Sequence, residues 1–186
     1  MKPIQEYTKQ EKLAEILEYR PSRIERNTVL RYLLAVRRDN ADEVKYFESF
    51  GRDVRHIIAN VRTYERGQLF GYTDKQFNEY GWLNGILPIV ERIELDILNM
   101  IYIGQSINGT YAVTINWSTG GAGGGSFPSV WDEPIADYKD AVRNGIEQLE
   151  RQYAYAMTRT AVYSDYFNTR KIRKLITKRP KSSGNI

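Results

Sequence analysis

Few residues in this chain combine a reactive type with a spacing that could use it. His56 is the single histidine among 186 residues, set between Arg55 and Ile57. As a general base it needs an orienting acid and a nucleophile beside it, and the sequence marks neither. A solvated or capping imidazole is the expectation. Glu91 and Glu94 stand three apart, so on a helix they would share a face and could meet a hard divalent ion, with Asp96 close by. The histidine and further carboxylates that a di-metal site draws from other helices are not recognisable, and a solvated face interleaved with Arg92 is the simpler account. Asp132, Asp137 and Lys139 make a broken acid–lysine pattern, but the lysine falls in a predicted helix, which argues against a nuclease. The glycine run Ser118-Thr-Gly-Gly-Ala-Gly-Gly-Gly-Ser126 invites a phosphate-loop reading. No Gly-Lys-Ser/Thr follows it, and Phe127-Pro128 stands where a helix should start, so it reads as a mobile tip or hinge. The residues imply no catalytic group, no cofactor and no metal: the chain reads as not an enzyme.

Basic residues are the other chemical resource. Arg52, Arg55, Arg62 and Arg66 fall within an arc of roughly 80° when a helix turns 100° per residue, a face that could track phosphates or a partner. Glu48 and Asp53 lie at its edge, and a solvated face with local ion pairs is favoured slightly. Arg23, Arg26, Asn27 and Arg31 would face a groove if the two N-terminal helices formed a helix-turn-helix, though the Glu18–Ser22 connection lacks the usual tight glycine turn. An antiparallel helical hairpin is the stronger expectation. The densest charge is terminal. Arg170, Lys171, Arg173, Lys174, Lys178, Arg179 and Lys181 lie beyond Tyr166 with no acid among them; removing these seven from the formal +4 leaves −3 for residues 1–165. A mildly acidic body carrying a basic arm is built to touch an acidic protein surface or nucleic acid.

Helices must position most of these groups. Thr8-Lys-Gln-Glu11 is a capping box leading to Leu13, Ile16 and Leu17. Ser22-Arg-Ile-Glu25 predicts a second start, with Ile24, Leu30, Leu33 and Leu34 on a helix to about residue 38. A third helix, about 42–67, carries Phe47, Phe50, Val54, Ile57, Ile58, Val61 and Tyr64 on one face. Short and longer helices are predicted from Thr73 through Tyr80 and over about 86–100, the latter with Pro88 in its first turn. Asn108-Gly109 between alternating β-branched residues is a hairpin signal, and these two residues are its expected tip. A last long helix runs over about 135–160 through Tyr138, Val142, Ile146, Leu149, Tyr153 and Met157. The expected fold is mainly α (α+β): a helical bundle, residues 1–165, with one hairpin and Gly-rich loop inserted at about 101–130, then the arm 166–186.

Composition narrows the classes further. There is no Cys, which removes disulfides, thiolate catalysis and Cys-ligated metals. The N-terminus lacks an apolar core, and the apolar stretch 82–103 is broken by Glu91, Arg92, Glu94 and Asp96, so neither a signal peptide nor a membrane span is expected. Tyr is abundant at 14, against 6 Phe and 3 Trp, a residue at home at half-wet interfaces and equally on half-buried helix faces.

In layout, the helices of 9–100, the Asn108-Gly109 hairpin with its glycine loop, the helix 135–160 and the arm 166–186 resemble the head–tail connector or adaptor subunits of tailed bacteriophages. That resemblance implies a non-enzymatic virion subunit in a homo-oligomeric ring, with hairpin and arm meeting neighbouring proteins, located in the virion or the bacterial cytoplasm. The alternative is a nucleic-acid-binding regulator or accessory protein of a phage or mobile element, depending on the arm or on Arg52, Arg55 and Arg62.

Overall fold

The computed structural model describes residues 2–118 and 122–159, which divide after Gly85 into two compact units. The basic arm 166–186 lies outside the described residues.

In the first unit, local capping chemistry sets the helix boundaries. Thr8 accepts from the Glu11 amide at 3.3 Å while Glu11 accepts from the Thr8 amide at 2.6 Å, and α1 runs Lys9–Glu18 behind this box. The second start comes later than expected. Glu25 turns back to accept from the Ser22 amide and hydroxyl at 2.8 and 2.6 Å, closing a turn, and α2 is Arg26–Arg37. Its buried apolar face is Val29, Tyr32, Ala35 and Val36; Ile24, expected on this helix, precedes it, and both Ile24 and Leu30 are exposed. The long third helix is two helices. α3, Ala41–Glu48, is capped by Asn40, and α4, Val54–Gln68, is capped by Asp53. Gly51 sits in the break, where a Cβ would lie 2.5 Å from that of His56. The apolar face spans both helices: Phe47, Phe50, Val54, Ile57, Ile58 and Val61 are buried with Tyr32 and Ile16 in one core, and Tyr64 packs partly buried against it. Each such large side chain withdrawn from water contributes on the order of 2 kcal/mol before entropy is counted.

The helix expected over 73–80 does not form. Asn78 accepts from the Tyr80 and Trp82 amides, each at 3.0 Å, and Gly81 takes φ +79°, which folds the chain back so that Phe77 bridges to Leu83. One buried side chain holds this segment. Asn60 on α4 donates to the Phe50 and Gly81 carbonyls, both at 2.7 Å, and accepts from the Leu83 amide at 2.8 Å.

The second unit overturns the bundle expectation. Residues 86–100 are not a helix: Ile89–Glu94 is strand β1, followed by a turn. Pro88 precedes this edge strand, where a missing N–H costs no ladder bond. β2 (Met100–Gln105), β3 (Tyr111–Ser118) and β4 (Gly123–Gly125) complete an antiparallel sheet in sequence order, so the described residues form an α+β fold with five α-helices and four strands, not a helical bundle with one hairpin. The last helix, α5, is Tyr138–Arg159 and packs its Ala141, Leu149 and Tyr153 on Ile101, Ile103, Val113 and Ile115. Gly145 makes that approach possible, because a Cβ there would collide with Ile101. The glycine run is also partly structured: Gly123, Gly124 and Gly125 pair with Ser118, Trp117 and Asn116.

Candidate functional site

The groups that looked reactive are occupied by structural hydrogen bonds. Both nitrogens of His56 face acceptors, Asp53 Oδ2 2.7 Å from Nδ1 and the Tyr80 carbonyl 3.1 Å from Nε2, and the ring stacks on Trp82 with centroids 4.0 Å apart. The imidazole thus joins the α4 cap to the 78–83 turn. Glu91 accepts from the Tyr138 hydroxyl, whose ionisation is pushed up to about 12 by burial and then by that carboxylate. Glu94 lies 3.9 Å from Arg92, and Asp96 closes a turn. Asp132 accepts from the Ser129 amide at 2.7 Å, and Asp137 starts α5 by accepting from the Lys139 amide at 2.7 Å. Among the described residues no three His, Cys, Asp or Glu gather as a metal group would, and no helix is long and apolar enough to cross a membrane.

Of the four arginines on the expected face, Arg55, Arg62 and Arg66 lie on α4. Arg52 precedes α4 and is not on it. The Arg55 guanidinium lies 5.7 Å from the Trp82 ring centre, on the same indole that His56 stacks against. Arg62 acts on Glu25, whose carboxyl is held below its ordinary range first by the Ser22 hydroxyl. Arg66 shares the α4 helix with Arg55 and Arg62 but is partly covered. Arg31, a groove candidate, donates to Glu65 at 2.7 Å and covers Phe47. Arg23, Arg26 and Asn27 are exposed.

Two turns of the sheet present aliphatic side chains to solvent. The hairpin between β2 and β3 closes through the Ser106 amide on the Thr110 carbonyl at 2.9 Å, with Gly109 at φ +85°. Its tip is therefore the three residues Ile107, Asn108 and Gly109, one more than the sequence signal implied. The buried Ser106 hydroxyl reaches Asn108 Oδ1 at 2.6 Å and Thr110, making the tip stiff, and Ile107 stands 68% exposed on it. At the other end of the sheet, the β1–β2 turn is held by Asp96, which accepts from the Leu98 and Asn99 amides at 2.9 and 3.0 Å. Asn99 in turn accepts from the Ser118 amide at 2.8 Å. That turn exposes Ile97 to 86% and Leu98 to 57%. Sequence reasoning missed Ile97 and Leu98 because both were assigned to a helix; the Asp96-x-x-Asn99 spacing, which favours an Asx turn, was the available signal. Set against family models, curated proteins and solved structures, the chain matches none of the three.

Proposed function

We propose that the chain is a non-enzymatic structural subunit that assembles through its turn tips and its basic arm. The observation that carries this reading is the pair of internally hydrogen-bonded turns, at opposite ends of one sheet, that hold Ile97, Leu98 and Ile107 out in water. A turn usually offers polar residues to solvent; stiff turns that offer aliphatic ones lose little entropy when a partner covers them. Arg170, Lys171, Arg173, Lys174, Lys178, Arg179 and Lys181 would add a charged contact to an acidic neighbour. Within this class a head–tail connector ring of a tailed phage is the assembly whose layout the chain resembles, although the resemblance loses the helical part it drew from residues 73–100. The test compares the native mass of the full chain with those of a chain lacking residues 169–186 and of an I97D/I107D variant. The full chain is expected as a closed oligomer, and both variants as folded species that fail to assemble. Normal assembly by both variants, or a full chain that stays monomeric at high concentration, defeats the proposal. A mobility shift of nucleic acid that weakens steeply with salt and needs the arm would instead favour the nucleic-acid reading.

A further inference from the structure

Three rings on α3, α4 and the bend between them make a box. Tyr46 and Phe50 meet edge to face with centroids 5.1 Å apart at 72°, and Phe50 meets Tyr64 at 5.2 Å and 57°. The Lys75 ammonium occupies this box, 3.8 Å from the Phe50 ring centre, 5.7 Å from Tyr64 and 5.8 Å from Tyr46. A cation over several π faces at these distances is the arrangement by which proteins hold alkylated ammonium ions. Within the protein the ammonium is only partly satisfied, and because the residue is exposed, solvent takes the rest. A primary ammonium carries three N–H donors, and here Nζ has one acceptor, Ser49 Oγ at 2.6 Å. Among the described residues no carboxylate lies within ion-pair distance of it, and burial pulls its proton affinity below the ordinary lysine range.

We propose that Tyr46, Phe50 and Tyr64, with Ser49, form a binding site for methylated or quaternary ammonium groups, and that Lys75 is its tethered, displaceable occupant. Three π faces and one acceptor match a cation with at most one N–H, such as a dimethyl- or trimethylammonium, better than they match a lysine. The backbone is held on both sides of Lys75. Tyr64 donates to the Thr73 carbonyl at 3.1 Å, and the anchors Asn60 and His56 act only from Tyr80 onward. The Asn84 amide also donates to the Gln76 carbonyl at 3.2 Å and Phe77 bridges to Leu83, so it is the exposed Lys75 side chain, and not the segment, that swings out of the box. The site stands independently of the assembly reading and would supply that assembly, or any other partner, with a chemically specific contact.

Tetramethylammonium is the probe, titrated into the full chain and followed by proton NMR. In the wild type the Lys75 side-chain methylenes are expected upfield from ring currents and to move toward their free positions as the probe competes. Lys75→Ala is expected to bind the probe at least tenfold more tightly than the wild type, with upfield-shifted probe methyls. Lys75→Gln should do the same, and adding Tyr64→Leu to either should abolish the gain while far-UV circular dichroism stays unchanged. Unshifted Lys75 methylenes in the wild type, equal affinity in wild type and Lys75 variants, or binding indifferent to Tyr64→Leu would each overturn the proposal.

Discussion

Asn60 carries more of the first unit than any ion pair does. Its amide satisfies two carbonyls and its oxygen one amide, all in a position 1% exposed. Replacing it with Leu keeps the volume and orphans all three backbone groups. Asn60→Leu should therefore cost about 3 kcal/mol in urea denaturation, far more than removing an exposed pair such as Lys9–Asp39. A loss under 1 kcal/mol would mean that the 78–83 turn is held by His56 and Trp82 without it. Of these roles, the sequence carried only part. His56 was expected to be solvated or capping; the cap is Asp53, three residues ahead, and the imidazole is bonded to it and stacked on Trp82. Asn60 was invisible, because its three partners lie 10 to 23 residues away in sequence.

Elements were legible where local chemistry decides and illegible where pairing does. The Thr8 box and the α5 apolar spacing were sufficient to place those helices, since capping and one-sided burial act within a few residues. Residues 86–100 carry apolar positions that suit either period, and the outcome is settled by the Glu91–Ile103 to Glu94–Met100 ladder with β2, a tertiary fact. The bundle expectation failed there. Gly145 gives a quantitative test of what α5 needs. Alanine at a mid-helix glycine ordinarily gains up to about 1 kcal/mol from propensity. Here its Cβ would strike Ile101 and lie 3.1 Å from Val113 Cγ1, and overpacking of that kind costs about 1–3 kcal/mol. The clash wins: Gly145→Ala should lower the melting temperature, while Arg143→Ala on the exposed face should leave it nearly unchanged. A more stable G145A would show that helix and sheet separate easily.

Across the whole molecule, alkaline pH should be the sharper threat. Tyr46, Tyr138 and Tyr153 are each pushed up to about 12, in every case chiefly by burial. An unfolded tyrosine ionises near 10. Between those values the folded chain holds more protons than the unfolded one, so stability falls as pH rises through that window and is fully present below it. Tyrosinate absorbance should rise in two stages, exposed residues near pH 10 and these three close to 12 or together with unfolding. A single stage near 10 with the fold intact would show that these rings are open to water. Both units contribute a tyrosine to this set, so both should lose stability over the same range.

The three glycines of β4 reverse an ordinary inference about simple sequence. Runs of one small residue are commonly taken as places where substitution is free. At Gly125 a Cβ would collide with Asn116, and at Gly123 it would come within 2.9 Å of the Trp117 carbonyl. The spelling of this strand is dictated by its neighbour and not by any side chain of its own. Low complexity here is the imprint of closeness, and a saturation scan would find its plainest stretch among its least forgiving.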